Sequence, residues 1–382
     1  MIKTMTIFGT RPEGIKMVPI VQALNREKEI TNIFINTAQH RDMLDQVLNL
    51  FMLTPDYDLD IMREGQSLET LTKRLIDKLS LIIEEEKPDL VLVHGDTTTT
   101  FSGTYAGFLQ KVPVGHVEAG LRTNDIYAPF PEEGNRQLVG RLATYHFAAT
   151  QRNKDNLLKE NIPHDTIEVV GNTVIDALMD ISRRESSLSG ELKSIFETGK
   201  KTILLTTHRR ENMEALQSVY RAIRRIVDAN DDVQVVFPVH KNPAIRQKAL
   251  HEIGDNPDVY LIEPLDYEPF IHVLKSAYLV ITDSGGIQEE APGLGKPVLV
   301  ARNTTERPEG VEAGTLQLVG TSEDTIVQQC QRLLSNKEAY TGMSKMQNPF
   351  GQGDSADKIV NHIKKSFDLT VTSDQKQANQ LV

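Results

Sequence analysis

Two acidic residues stand where predicted strands give way to loops, and carboxylates in such places are able to serve acid-base chemistry. Asp96 follows the predicted strand Leu90–His94, and Glu118 closes the predicted strand Val112–Glu118. An unpaired carboxylate at the end of an apolar strand is costly, so Glu118 either pairs with Arg122 or serves chemistry. The sequence leaves both alternatives open.

Helix ends offer simpler interpretations of the acids and hydroxyls in this half of the chain. Asp96 or Thr97 is able to accept a hydrogen bond from a free backbone N–H group at the next helix start. Helix capping explains the run Thr97–Thr100. It explains Asp96 less well, because a helix start needs only one capping side chain. Glu132 and Glu133 follow a proline-stiffened loop and also suit the first turn of a helix, facing its dipole. For Glu133 we favour the dipole interpretation.

Two further segments place cations directly after a predicted strand, where an anion would be attracted. Arg11 and Lys16 flank the start of the first predicted helix, and an ordinary turn with solvated charges explains them equally well. His208, Arg209 and Arg210 follow an apolar strand in an acidic protein, which favours an anion site over a charged surface loop.

The segment Thr282–Pro292 carries the strongest signal for a ligand. Gly285 and Gly286 follow Ser284, so backbone N–H groups at a helix start are able to approach a diphosphate closely. Two turns further on, Glu290 is able to accept hydrogen bonds from ribose hydroxyls. A glycine turn with a capping serine would explain the glycines but not the acids that follow them.

Composition excludes several classes of protein. The chain has 382 residues, 39% of them hydrophobic and 25% charged, which is ordinary globular usage and long enough for two domains. A net charge of −11 argues against a nucleic-acid surface. No apolar run reaches the length of a membrane span, the start lacks a signal peptide, and a cytoplasmic location is expected. Cys330, the single cysteine, excludes an internal disulfide and is expected to be a small buried or half-buried apolar residue.

Short β-rich runs alternate with helical patterns in both halves of the chain, which predicts parallel βαβ units and two doubly wound sheets. Ligands bind such sheets outside the carboxyl ends of the strands, so the residues after strands matter most. The predicted strands are Thr4–Phe8, Ile33–Asn36, Leu90–His94, Val112–Glu118, His146–Ala149 and Ile167–Val170 in the first half, and Thr202–Thr206, Val233–Val239, Val259–Ile262, Leu279–Thr282, Pro297–Val300 and Leu316–Val319 in the second.

Together these segments resemble the bacterial non-hydrolysing UDP-N-acetylglucosamine 2-epimerases. The resemblance runs from about residue 2 to the glycine-rich region at Pro349–Gly351. Its motifs are specific in combination. The matching stretches read FGTRPE with Lys16, TAQHRDMLDQVL, VLVHGDTTTT, GHVEAGLRT, FPEE, GNTVIDAL, HRREN, TDSGGIQEEAP, LGKPVLV and TTERPE.

The resemblance implies an α/β, GT-B-like architecture of two Rossmann-like, doubly wound domains with the active site in an interdomain cleft. We expect one domain over residues 1–172, a UDP-binding domain over 173–352 with the hinge near 172–176, and a helix at about 354–367 that packs back on the first domain. Residues 369–382 are expected to be a flexible tail. The family also implies a homodimer.

By the same resemblance, individual residues acquire expected roles. Phe270 is expected near the uracil. The positions that match the family's UDP-sugar ligands are Arg11, Lys16, His208, Ser284, Gly285, Gly286, Glu290 and Arg307, and its catalytic positions are Asp96, Glu118, Glu132 and His208.

Some family members bind a second UDP-N-acetylglucosamine as an allosteric activator. Asp42 and Gly65 depart from the pattern of those members, which carry glutamine and arginine there, so the resemblance leaves activation open. The residues that match the activator site are Gln39, Glu132, Arg209 and His240.

The implied reaction interconverts UDP-N-acetylglucosamine and UDP-N-acetylmannosamine through elimination of UDP to 2-acetamidoglucal and its re-addition. No nicotinamide or other cofactor is needed, and no metal is predicted because no acidic or histidine cluster has metal-ligand spacing. The expected partners are a UDP-sugar and a second copy of the chain, with no nucleic acid and no membrane. Which carboxylate removes the proton at C2, and which returns it, is left open.

Three alternatives compete with this interpretation. A GT-B glycosyltransferase would use the same scaffold and diphosphate site, and a hydrolysing epimerase would release UDP and free N-acetylmannosamine. A non-catalytic UDP-sugar-binding protein is disfavoured, because the acids at the three catalytic carboxylate positions are intact.

Overall fold

The computed structural model describes residues 1–39, 41–186, 188–207 and 215–369, and only the backbone of Asp42. The described residues form two compact units, one within 1–177 and 351–369 and one within 178–350. Each unit is built on its own parallel sheet. The assignment of domains with a boundary between residues 172 and 173 stays a prediction, and most of the predicted tail lies outside the described residues.

The first unit contains a seven-stranded parallel sheet in the order β3-β2-β1-β4-β5-β6-β7. Its central strand Leu90–His94 is buried along its whole length, as expected for a parallel strand whose two faces are both covered. The strands are β1 (Ile2–Phe8), β2 (Ile30–Asn36), β3 (Tyr57–Asp58), β4 (Leu90–His94), β5 (Val114–Ala119), β6 (Tyr145–Ala148) and β7 (Ile167–Val169).

Helices connect these strands, and several begin with the capping side chains that the sequence provides. Thr10 caps the first helix in a capping box with Glu13. The last helix belongs to this unit, where Lys364 Nζ lies 2.6 Å from Glu27 Oε2. The helices are α1 (Arg11–Arg26), α2 (Arg41–Leu50), α3 (Leu68–Glu86), α4 (Thr98–Leu109), α5 (Glu132–Leu142), α6 (Gln151–Lys159) and α16 (Ser355–Ser366), while α7 (Val174–Arg183) carries the chain into the second unit.

The second unit contains a six-stranded parallel sheet in the order β10-β9-β8-β11-β12-β13, which repeats the order of the first six strands. Cys330 lies buried in the core of this unit, as predicted, and burial raises the pKa of its thiol to about 12. The strands are β8 (Lys201–Thr206), β9 (Val233–Pro238), β10 (Val259–Ile262), β11 (Leu279–Thr282), β12 (Val298–Val300) and β13 (Leu316–Leu318). The helices are α8 (Gly190–Phe196), α9 (Ala215–Asp228), α10 (Pro243–Ile253), α11 (Tyr267–Ser276), α12 (Gly285–Gly293), α13 (Pro308–Glu312), α14 (Glu323–Ser335) and α15 (Lys337–Ser344).

Every predicted strand coincides with a strand of the structure to within a few residues. The strand β3 was not predicted, because it has only two residues, pairs with β2 at the edge of the sheet and lies in a polar stretch. In both sheets the connections diverge between the first and the fourth strands of the unit. The loops after β1, β4 and β11, and the end of β8, therefore lie where ligands of such sheets bind.

Candidate active site

A buried carboxylate joins the two loops at the divergence point of the first sheet. Glu13 Oε2 accepts hydrogen bonds from the backbone N–H groups of Gly9 (3.1 Å) and Thr10 (2.8 Å) after β1. Its Oε1 accepts from the hydroxyls of Thr97 (2.6 Å) and Thr100 (3.2 Å) after β4. This arrangement fixes the loop that leads into α1, where Arg11 and Lys16 lie, to the loop that carries the first predicted acid.

Asp96 lies on the second of these loops and is held by α5. Arg136 Nε donates a hydrogen bond to Asp96 Oδ2 at 2.9 Å, and a terminal nitrogen of the same guanidinium lies 2.7 Å from that oxygen in an ion pair. The side-chain amide of Asn135 donates to the backbone oxygen of Asp96 at 2.8 Å. Thr97, rather than Asp96, caps α4 by accepting from Thr100 N–H at 3.1 Å, so the capping interpretation is correct for the threonine alone.

Glu118 lies at the end of β5 with both carboxylate oxygens occupied. Lys16 Nζ donates to Oε1 at 2.6 Å and to Oε2 at 2.7 Å. The amide of Asn172 donates to Oε1 at 3.0 Å, and His94 Nε2 lies 3.0 Å from Oε2. Burial opposes ionisation, but Lys16 and His94 outweigh it and hold the pKa of Glu118 well below its ordinary value.

The alternative of an ion pair between Glu118 and Arg122 is wrong. Arg122 instead forms two charge-assisted hydrogen bonds with Glu160, at 2.6 and 2.9 Å. The backbone of Glu118 has φ +60°, in the left-handed region, so its main chain turns sharply where the side chain leaves the sheet. Such strain is typical of functional positions.

The loop between β4 and α4 brings Asp96 and Glu118 near each other. A Cβ placed on Gly95 would lie 3.8 Å from Glu118 Oε2, so the carboxylate lies beside the residue that precedes Asp96. The buried ring of His116 supports this loop through a 2.7 Å contact between Nε2 and the backbone oxygen of Gly95. Burial lowers the pKa of His116 to about 3, so its ring is neutral at physiological pH.

The two acids at the start of α5 have different environments. Glu132, the first residue of the helix, is half-buried, and no described residue donates a hydrogen bond to its carboxylate. Glu133 lies in the first turn of α5, as predicted, but it is also fully buried, so it does more than face the helix dipole. Burial opposes its ionisation, but hydrogen bonds lower its pKa. The donors are Gln137, Arg136 and the backbone N–H groups of Thr123 and Asn124.

In the second unit, the ends of β8 and β11 are joined by a 2.6 Å hydrogen bond between the hydroxyls of Thr206 and Thr282. The Thr282 hydroxyl also accepts from the backbone N–H of Ser284 at 2.9 Å. Ser284 makes no side-chain capping bond to α12, so the capping-serine alternative is wrong. Gly285 and Gly286 form the first turn of α12, as the diphosphate interpretation requires.

The acids that follow this glycine turn have protein partners. Glu290 is buried, accepts a hydrogen bond from the Tyr267 hydroxyl at 3.1 Å and has its Oε2 4.0 Å from a Cβ placed on Gly286. Glu289 forms an ion pair with Arg307. Phe270, one turn after Tyr267 on α11, is half-buried.

Of the remaining predicted residues, two lie outside the part of the chain that the structure describes. His208 and Arg209 fall in the gap between residues 207 and 215. Arg11 makes no hydrogen bond or ion pair within the part of the chain that the structure describes. Gln39, in the first unit, accepts from the Thr99 hydroxyl at 3.1 Å, and His240, in the second, is exposed.

The sequence assigned no role to four residues that hold the predicted acids or their loops in place: Glu13, His94, Arg136 and Asn172. For Glu13 the signal was present, since Thr10-x-x-Glu13 is a capping-box pattern. The described residues contain no cluster of three or more His, Cys, Asp or Glu side chains suited to a metal. No helix within residues 1–39, 41–186, 188–207 and 215–369 is long and apolar enough to cross a membrane.

The Lys16–Glu118 pair yields a stability prediction. Lys16→Met leaves a buried carboxylate without its ammonium, so we expect the free energy of unfolding to fall by about 3–5 kcal/mol at pH 7. Adding Glu118→Gln removes that charge, and the double variant should be more stable than Lys16→Met. Because the folded-state pKa of Glu118 is lowered, its contribution is complete above about pH 4 and disappears as pH falls through that lowered pKa.

Urea unfolding followed by circular dichroism measures these changes, with Lys3→Met as the matched control in the same unit. Lys3 Nζ lies 3.1 Å from Glu86, but its side chain is 38% exposed, so its loss should cost less than about 1 kcal/mol. Equal losses in the two lysine variants would contradict the importance of the Lys16–Glu118 pair.

Comparison with known proteins agrees with the resemblance. The family model described as UDP-N-acetylglucosamine 2-epimerase matches residues 22–364. The UDP-N-acetylglucosamine 2-epimerase of Bacillus subtilis is 52% identical over 363 residues, covering 95% of each chain. That of Salmonella typhimurium is 50% identical over 370 residues, covering 95% of this chain and 98% of the relative.

A solved structure extends the likeness to three dimensions. The crystal structure of UDP-GlcNAc 2-epimerase from Neisseria meningitidis bound to UDP-GlcNAc matches with a TM-score of 0.81 and 45% identity, covering 95% of this chain and all of that one. The predicted fold class, α/β with two Rossmann-like, doubly wound sheets of the GT-B-like type, is confirmed. The chain belongs to the UDP-N-acetylglucosamine 2-epimerase family.

Proposed function

We propose that this protein is a non-hydrolysing UDP-N-acetylglucosamine 2-epimerase that interconverts UDP-N-acetylglucosamine and UDP-N-acetylmannosamine. The observation that carries the proposal is the placement of Asp96, Glu118 and Glu132 at the carboxyl edge of the first sheet and on the adjoining helix α5. Relatives at about half identity bear the epimerase name, and one solved relative binds UDP-GlcNAc. Acids at these positions suit proton transfer at a sugar carbon.

The chemistry starts from a difficulty at C2, because its hydrogen is not next to a carbonyl group and is not acidic. Departure of UDP from C1 removes this difficulty, since the electron-poor C1 centre acidifies the C2 hydrogen. Loss of that proton forms the C1=C2 double bond of 2-acetamidoglucal. Reprotonation on the opposite face and return of UDP to C1 give the epimer. No step transfers a hydride, so the proposal requires no nicotinamide.

Two groups of residues are assigned to the diphosphate by resemblance to the family, and each is described within its own unit. Arg11 and Lys16 lie at the start of α1, and Ser284, Gly285 and Gly286 lie at the start of α12. Helix N-termini and cations aimed at developing negative charge lower the barrier to its departure.

The second unit supplies the proposed nucleotide site. Glu290 is the proposed acceptor for ribose hydroxyls, and its bond from Tyr267 holds it beside Gly286. Phe270 is assigned to the uracil, and Arg307, placed by Glu289, to the diphosphate. His208 is assigned to the UDP-sugar by resemblance to the family alone.

An isotope experiment tests this function. Purified protein is incubated in D2O with UDP-N-acetylglucosamine that carries oxygen-18 in the bridge between C1 and the β-phosphate. Elimination predicts three NMR results: UDP-N-acetylmannosamine appears, both epimers gain deuterium at C2, and oxygen-18 scrambles into non-bridging phosphate positions. Accumulation of free N-acetylmannosamine with UDP would indicate hydrolysis, and turnover only with an added acceptor would indicate a glycosyltransferase. Deuterium at C2 without bridge scrambling would contradict elimination.

We also propose that the protein forms a homodimer through α3 and α4. Phe101, Tyr105 and Phe108 stack along α4, and Phe108 is 49% exposed. Leu81 on α3 is 66% exposed and lies near the end of α4, where the Gln110 amide donates to the backbone oxygen of Ser80. An exposed apolar face of this kind is typical of an interface.

Sedimentation equilibrium tests the homodimer. The wild-type protein should have twice the mass of one chain, whereas Leu81→Glu and Phe108→Glu should place a charge in the interface and yield monomers. Leu250→Glu, which changes an exposed leucine on α10 of the second unit, serves as the matched control and should stay dimeric. A monomeric wild-type protein, or dimers of both α3 and α4 variants, would refute the proposed interface.

A further inference from the structure

The three candidate acids differ in how many of their oxygens the described residues occupy. Glu132 has no donor on either oxygen, so nothing in the described protein fixes the orientation of its carboxylate. Glu118 has donors on both oxygens. Asp96 has donors on Oδ2 only, and no described residue donates to its Oδ1. The side chain of Asp96 is also 26% exposed, against 15% for Glu118. Asp96 is therefore a carboxylate with a fixed orientation and one oxygen that remains available to a ligand.

The orientation of Asp96 comes from a buried guanidinium. Arg136 has only 10% of its side chain exposed, and both its Nε and one terminal nitrogen point at the same oxygen, Oδ2. Its other terminal nitrogen donates to Glu133 Oε2 at 3.1 Å. The planar guanidinium thus bridges two carboxylates, which leaves it little freedom to rotate.

Both carboxylate oxygens of Glu133 in turn accept hydrogen bonds from described residues. Its Oε2 accepts from Thr123 N–H at 3.0 Å, and its Oε1 accepts from Asn124 N–H at 3.2 Å and from the Gln137 amide at 3.1 Å. Glu133 is fully buried, so these bonds are shielded from water. The chain of contacts from Glu133 through Arg136 to Asp96 is therefore a rigid support rather than a surface ion pair.

We propose that Arg136 is a positioning residue for epimerisation, which holds Oδ2 of Asp96 so that Oδ1 takes the proton from C2 of the sugar. The inference rests on the proposed function. In this step the C1–O electrons leave with UDP, and the C2–H bond breaks. The proton passes to Oδ1, and the electron pair of the C2–H bond becomes the second bond between C1 and C2. In the reverse direction Asp96 returns the proton to the same face.

Glu118 is a poorer acceptor for this proton. Protonation there would weaken the contacts of Lys16 and Asn172 with a buried carboxylate. Asp96 is able to accept the proton on Oδ1 without giving up the hydrogen bond that Arg136 Nε donates to Oδ2. Asp96 thus takes up the proton, whereas Glu118 stays ionised and balances the charge of Lys16.

Arg136→Ala tests the proposal, with the wild-type protein assayed in parallel by NMR. We expect kcat to fall about 10²–10⁴-fold, the range for a mispositioned general base, while KM and the Kd for UDP stay within about threefold. Guanidinium added to Arg136→Ala should restore at least about a tenth of the lost kcat. In the Asp96→Asn background, Arg136→Ala should cause no further fall and show no rescue, because Arg136 acts only through Asp96.

Arg122→Ala is the matched control, since Arg122 is a second buried arginine of this unit with a carboxylate partner. It should lower the thermal midpoint, and guanidinium should not change its kcat. If Arg136→Ala does not fold, as judged by circular dichroism, Arg136→Lys replaces it. The lysine keeps the charge but not the paired donors, so kcat should fall about 10-fold or more at unchanged KM.

The outcomes separate this inference from the proposed function. A wild-type protein without epimerase activity refutes the function, and the inference falls with it. An active wild-type protein overturns the inference alone if the Arg136 variant keeps kcat within about threefold. Two other results would also overturn the inference alone. One is a further loss of activity when Arg136→Ala is added to Asp96→Asn, and the other is a rise in the KM of Arg136→Ala in proportion to its loss of kcat.

Discussion

The burial of the Glu118 carboxylate at the edge of the first sheet is the constraint on which the site depends. A charge placed there is tolerated only with compensation, and the compensation comes from three separate elements. Lys16 extends from α1, His94 ends β4, and Asn172 precedes α7. Because these elements are far apart in sequence, the carboxylate forms its contacts only when the whole unit is folded.

Two more buried carboxylates are likewise compensated by donors from separate segments of the chain. Glu13 joins the loops after β1 and β4 through four hydrogen bonds, and Glu133 fastens α5 to the loop before it. Arg136 then links Glu133 to Asp96. The edge of the sheet is therefore a network of satisfied polar groups, and Asp96 Oδ1 is the part of that network that the described protein leaves available. A rigid surround with one available oxygen is the preorganisation that proton transfer at a fixed carbon requires.

Local patterns in the sequence were sufficient to predict the fold, but not to predict which residues pair with the buried carboxylates. Alternating apolar runs and helical spacing predicted the strands, because burial on both faces leaves a continuous β-rich signature in each strand. The pairing of Glu118 with Lys16 spans 102 positions, and no local pattern distinguishes it from a pair with the nearby Arg122. Glu133 resembled an ordinary first-turn acid for the same reason, since two of its four donors, the backbone N–H groups of Thr123 and Asn124, lie on a loop about ten residues before it.

The charge state of the Lys16–Glu118 pair is the most direct test of this account, and neutron diffraction of deuterated crystals at neutral pH measures it. We predict three deuterons on Lys16 Nζ and none on either oxygen of Glu118, because Lys16 and His94 hold the pKa of that carboxyl well below its ordinary value. A deuteron on Glu118, beside a Lys16 that carries only two, would show that the buried charge is absent and would contradict the account.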